Sequence, residues 1–204
     1  IEKKKRNLFS ITKEVKRWVE EVELEVEVEK EKINIKTFEI PAGFGFLINA
    51  DGKNILVADG SLVDEKSNYF IKNSGINNGE KLKADFIFKT EDGFSFLELV
   101  ENLESKKAKL VPPIPDFGDF DKMKIGQKIL TFGNNISSLV FNGKENLQKN
   151  FKINIEKEDA GGLILNLDGE VLGIILSDKK NSLAPINLIH KSFKDYKLNL
   201  QNKI

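Results

Sequence analysis

A chain of 204 residues in which Lys plus Arg and Asp plus Glu both number 32 fits one ordinary domain or two small barrels, and its zero net charge sets up no field to draw in nucleic acid or acidic lipid. Cysteine is absent and His190 is the one histidine, so disulfides and thiolate metal sites are excluded and a Ser-His-Asp triad has one imidazole to draw on. No run of about 18 apolar residues occurs, so no membrane span is expected.

The chain opens on Ile1 and a Glu-Lys-Lys-Lys-Arg run rather than on a methionine, as expected of a mature or trimmed product, with removal of a signal peptide or membrane anchor left open. Ile11, Val15, Trp18, Val19 and Val22 fall at helical spacing with Ser10 in the N-cap position, which predicts an amphipathic N-terminal helix in residues 1–20. From Val22 the period becomes two. Val22, Leu24, Val26 and Val28 alternate with Glu21, Glu23, Glu25, Glu27 and Glu29, the pattern of a half-buried strand with a carboxylate ladder on its wet face. At Ile33 and Ile35 the apolar set moves to odd positions, which places a turn or bulge between Glu29 and Lys32.

From Pro41 to Val57 the order is Ala-Gly, an apolar strand, Asn49-Ala50-Asp51-Gly52 and a second apolar strand; from Ala160 to Ile175 the same order recurs, with Asp168-Gly169 in the place of Asp51-Gly52. An Asp-Gly pair between apolar runs predicts a tight hairpin with positive φ at the glycine, here Gly169. The internal echo argues for two similar β units in tandem. Short strands follow at Tyr69 to Ile71, Ala84 to Phe88 and Phe94 to Val100, with a turn from Gly75 to Gly79, as in an all-β barrel or sandwich. Proline and polar residues between Glu101 and Pro115 mark a linker. The expected organisation is therefore a first β-barrel over 21–104, a linker over 105–118, and a second β-barrel with a C-terminal helix over 119–204. Further strands are expected at Ser138 to Phe141 and Phe151 to Ile155, and Asn187 is the expected N-cap of a helix carrying Leu188, Ile189, Phe193 and Tyr196. His190 lies on that helix, where a surface or packing role is expected.

Glu158-Asp159-Ala160-Gly161-Gly162, three apolar residues, Asn166-Leu167-Asp168-Gly169 and a strand ending in Gly173-Ile174 together resemble the nucleophile segment of trypsin-fold serine proteases of the HtrA/DegP family. That segment runs Gly-Asn-Ser-Gly-Gly-Pro, apolar residues, Asn-x-Asp-Gly and an apolar strand ending in Gly-Ile. Three other stretches are similar in the same order: Pro41 to Gly52, Asp119 to Asn134, and Ala184-Pro185-Ile186-Asn187. The resemblance runs from about Pro41 to Tyr196 and implies an all-β, trypsin-like fold of two six-stranded barrels with N- and C-terminal helices.

On the matching positions the family's histidine is replaced by Gly60, or by Ser61 if the gap falls one residue earlier, its aspartate by Phe94 and its serine by Ala160. A methyl group cannot attack a carbonyl, and no base can activate it. Glu158 stands where the family has a glycine of the oxyanion hole, and a carboxylate there repels developing negative charge. From Ser177 to Leu183 the chain is shorter than the loop that helps shape the specificity pocket in active relatives. The resemblance with these departures implies an inactive pseudoprotease without catalytic, cofactor or metal site. Its expected role is a protein-binding or structural scaffold subunit, as a homo-oligomer or in a larger complex, in the periplasm or otherwise outside the cytoplasm. The periplasmic disc of the bacterial flagellar motor is the specific assembly expected. Two other readings stay open: a peptide-binding chaperone or sensor using the vestigial cleft, and an enzyme in which Ser61 or Ser95 is served by a carboxylate. Glu158, Asp159 and the Glu21 to Glu29 ladder would hold hard cations only weakly, since nothing in their spacing enforces an oxygen cage.

Overall fold

The computed structural model of the chain describes residues 9–21, 32–50, 53–72, 81–100, 117–142, 159–177 and 183–201. Strand β1 (Phe9–Glu21) runs antiparallel to β2 (Lys32–Ala50), and β2 returns against β3 (Lys53–Asp59). β3 pairs with β6 (Phe94–Leu99), β6 with β5 (Leu82–Lys89), β5 with β4 (Tyr69–Lys72), and β4 with β1, which closes a six-stranded barrel. Its interior is filled by Ile11, Leu47, Leu56, Tyr69, Ile71, Leu82 and Leu97.

The expected N-terminal helix is a strand, and the first barrel begins at Phe9 rather than at residue 21. A helix here would satisfy its own backbone but leave the edges of β2 and β4 open. As a strand, β1 bonds to both, with Trp18 opposite Ile35 and Ile11 opposite Ile71. β-branched Ile11, Thr12, Val15 and Val19 also favour the extended form.

The described part of the second unit begins at Phe117, which bridges to Val171, while the Gly118 N–H donates to the Val171 carbonyl at 2.9 Å. A 3-10 turn (Phe120–Lys122) leads to β7 (Lys128–Phe132), β8 (Ile136–Val140), β9 (Leu163–Asn166), β10 (Val171–Ile175) and β11 (Leu183–Pro185). Among the described residues these five strands form a sheet in the order β11-β10-β9-β7-β8. The strands expected at Val22 to Val28 and Phe151 to Ile155, the Glu29 to Lys32 turn, the Gly75 to Gly79 turn and the linker up to residue 116 lie outside the described residues, as do Asp51 and Gly52.

β3, the first part of β6 and residues 45–48 of β2 are buried on both faces, which is why they read as continuous apolar runs rather than alternating ones. Leu47, Leu56 and Leu97 point into the barrel; Phe46, Val57 and Phe96 point out of it into a core shared with Leu163, Leu165, Val171, Ile174 and Leu176 of the second unit. Helix α1 (Ile186–Gln201) seals that core with Ile186 and Ile189. Its Tyr196 stacks on Phe88 of β5 at 3.9 Å, so the last element of the chain returns to the first barrel. Because α1 begins at Ile186, Asn187 sits inside the first turn instead of capping it, and its Nδ2 donates to Asp119 Oδ1 at 3.3 Å. The hairpin between β9 and β10 has Gly169 at φ +83°, as its Asp-Gly pair requires.

Candidate functional site

Gly60 follows the last residue of β3 and Phe94 opens β6, and the pairing of Asp59 with Phe94 brings the two together. The Gly60 N–H donates to the Gly93 carbonyl at 2.9 Å. A Cβ placed on Gly60 would lie 2.9 Å from the Gly93 oxygen and 3.1 Å from the Phe94 carbonyl carbon. The backbone has closed where a side chain would leave the strand, and even a methyl group needs a shift of the neighbouring chain. Phe94 is fully buried, edge-on to Phe96 with centroids 5.5 Å apart. Its ring belongs to the core shared by the two units.

Ala160 reaches the same junction from the second unit. It is 0% exposed. Its carbonyl accepts from the Phe44 N–H of β2 at 2.7 Å, and Gly43 is wedged between that carbonyl and Leu62: a Cβ there would meet them at 2.6 and 3.1 Å. The turn that carries Ala160 is set by Gly161 at φ +79°, whose N–H donates to the Ile175 carbonyl at 2.7 Å. The Gly162 N–H closes the turn on the Asp159 carbonyl at 2.9 Å. Asp159 Oδ1 accepts from the Asn135 N–H at 3.0 Å, a second-unit contact. Glu158 lies outside the described residues.

A carboxylate that sequence reasoning passed over holds the junction. Asp59 is 1% exposed; its Oδ1 accepts from the Ser61 N–H at 2.8 Å and its Oδ2 from the Ser177 N–H, just beyond β10, at 2.6 Å. Beside it the hydroxyls of Ser61 and Ser177 lie 2.7 Å apart. The signal was a lone acid ending the apolar run from Ile55 to Ala58, where a buried charge needs donors of its own.

Neither alternative nucleophile has its hydroxyl hydrogen-bonded to a carboxylate or an imidazole among the described residues. Asp59 takes the backbone N–H of Ser61, and the hydroxyl of Ser61 turns to Ser177. Ser95 is fully buried, and its hydroxyl has no hydrogen-bond partner among the described residues. His190 stands on α1, edge-on to Phe117 with centroids 4.7 Å apart; desolvation of the ring holds its pKa below the ordinary histidine value. Asp119 is held below the usual carboxylate range by the Asp121 N–H, then by Asn187 and Lys122. That network ties the 3-10 turn to α1. Among the described residues no group of three or more His, Asp or Glu side chains is placed to hold a metal ion, and no helix is long and apolar enough to cross a membrane.

A closed six-stranded barrel packed through a common core on a second antiparallel sheet, with a C-terminal helix across both, is a trypsin-like fold. The chain is similar in structure to an HtrA-type protease, AlgW with decapeptide, at TM-score 0.66 and 13% identity over 93% of this chain. It is also similar to a substituted form of AlgW with decapeptide, at TM-score 0.58 and 14% identity over 90% of this chain. The chain spans 64% and 61% of the lengths of those two proteins. No protein-family model matches the sequence, and no curated protein matches it.

Proposed function

We propose that this chain is a non-catalytic protein of trypsin-like fold that works by binding other proteins, as a scaffold subunit of an assembly outside the cytoplasm. The observation that carries the reading is Ala160: the residue at the nucleophile position is 0% exposed, so no substrate carbonyl could reach it. The backbone closed around Gly60 and the core ring of Phe94 support the same reading from the other two positions. A peptide-holding cleft gains no support, because Asp59 and the paired hydroxyls of Ser61 and Ser177 bind the two units to each other along their junction. The motif resemblance adds the setting: the periplasm, as a homo-oligomer or within a larger complex such as the flagellar motor's periplasmic disc.

Two measurements test this. The native chain and an Ala160→Ser variant are incubated with a casein-like substrate and with a serine-directed fluorophosphonate. Neither cleavage nor labelling is expected, since the restored hydroxyl would be buried without an imidazole; stoichiometric labelling of the native chain would overturn the reading. Mild crosslinking in cells, with the products identified by mass, is expected to give copies of this chain or a fixed partner at constant stoichiometry. A chain recovered wholly as a free monomer would refute the scaffold role.

A further inference from the structure

We propose that a cavity on the outer face of the first barrel, at its junction with the second unit, is a binding site for a small aliphatic carboxylate. The cavity has a volume of about 540 Å³; Pro41, Phe44 and Leu62 form its apolar side, and Lys72 and Asn134 complete the lining. That size lies within the range of small-molecule sites, roughly 300 to 1,000 Å³, which tend to form where two units meet and are mostly apolar with a few polar groups.

The walls are held before any ligand arrives. The backbone of Phe44 is held by its N–H bond to the Ala160 carbonyl, and Gly43 leaves no room for a Cβ between that carbonyl and Leu62. Ser10 and Thr12 also line the cavity, but their hydroxyls donate to the carbonyls of Lys72 and Phe70 across the β1–β4 pair, each at 3.4 Å. Ser10 and Lys72 are directly opposite in that pair, so their side chains share the outer face, while Ile71 turns inward.

Among the described residues Lys72 is the one charged residue of the lining, no Asp or Glu lines the cavity, and no carboxylate pairs with the Lys72 ammonium. Apolar walls favour a hydrocarbon body and the lone ammonium favours an anionic head. A free aliphatic chain of about ten carbons ending in carboxylate meets both demands within the volume. None of Gly60, Phe94 and Ala160 lines the site, although Phe44 bonds to the Ala160 backbone, and the assignment does not depend on the scaffold role.

The test is calorimetric titration of the intact protein with decanoate, decanol and decylammonium, below the concentrations at which they aggregate. Saturable 1:1 binding of decanoate is expected, at least about tenfold tighter than either of the others, as befits one charge-assisted contact. Lys72→Met should weaken decanoate at least about tenfold and leave decanol unchanged, while Lys72→Arg retains binding and shows that the barrel is intact. Absence of saturable decanoate binding, equal affinity for decanol, or an unchanged Lys72→Met variant would each overturn the assignment. Tighter binding by an apolar hexapeptide with a free C-terminal carboxylate than by decanoate would also overturn it, transferring the site to a peptide terminus.

Discussion

The Asp59 carboxylate accepts a hydrogen bond from the Ser177 N–H at 2.6 Å, although the two residues are 118 positions apart in the chain. Its other oxygen takes the Ser61 N–H at 2.8 Å, so one buried side chain joins the end of β3 to the segment after β10. Asp59→Ala would leave two backbone donors without their buried acceptor, and should cost about 1 to 3 kcal/mol of stability in urea unfolding. Asp59→Asn keeps one acceptor and turns an amide N–H toward a donor, so an intermediate loss is expected. An Asp59→Ala variant as stable as the parent would show that the junction is held elsewhere.

Gly161 and Gly126 both have positive φ, at +79° and +90°, yet they should respond differently to alanine. A Cβ on Gly161 would overlap the carbonyl of Phe44, whereas one on Gly126 meets nothing within 4 Å. Gly126→Ala should therefore cost only its backbone conformation, about 1 to 2 kcal/mol. Gly161→Ala must also push the two units apart, and a loss of about 3 kcal/mol or more, or insoluble expression, is expected. Equal urea midpoints for the two variants would contradict the close approach of the Ala160 turn to β2.

Ser95 lies across from Ala58 inside the first barrel, fully buried, and its hydroxyl has no hydrogen-bond partner among the described residues. Removing an unpaired buried hydroxyl relieves desolvation at little loss of packing. Ser95→Ala should be neutral or more stable by up to about 1 kcal/mol in thermal or urea unfolding. A loss of more than that amount would reveal a bond made by this hydroxyl.

His190 provides the pH dependence near neutrality. Desolvation of the ring, which packs edge-on against Phe117, holds its pKa below the ordinary value of 6.5, so the unfolded chain binds its proton more readily than the folded one. The stability it contributes is complete above pH 6.5, declines as pH falls through that value and levels off below the folded pKa. The lowered Asp64 and Asp119 values act only below about pH 4, where ordinary carboxylates titrate. For Asp64, burial alone would raise the value, and the bonds from Ser67 and Lys66 outweigh it. Urea midpoints between about pH 5 and 8 should fall on the acid side in the parent and stay flat in His190→Asn. A slope that survives the substitution would rule His190 out as its source.

Local chemistry made much of this fold legible. Tyr69 to Ile71, Ala84 to Phe88 and Phe94 to Val100 alternate or run apolar between turn residues, and strands stand there. Asp168-Gly169 is a turn signal complete within four residues, and the hairpin forms around it. The spacing of Ile11, Val15, Trp18 and Val19 satisfies a helical face, and the extended alternative depends on β2 and β4, which no local window contains. Likewise Asp59 looked like the polar end of a strand, because its partner Ser177 arrives only when the second unit packs.

By itself the amino-acid order determined the short β strands and the Asp-Gly turn, since turn preference and burial periodicity are properties of short stretches. The tertiary structure alone decided that the first segment closes a barrel, that Ala160 is sealed beneath β2 and that Asp59 ties the units together. Each of those depends on backbone groups far apart in the chain meeting in a dry interior, where every donor and charge must find its partner.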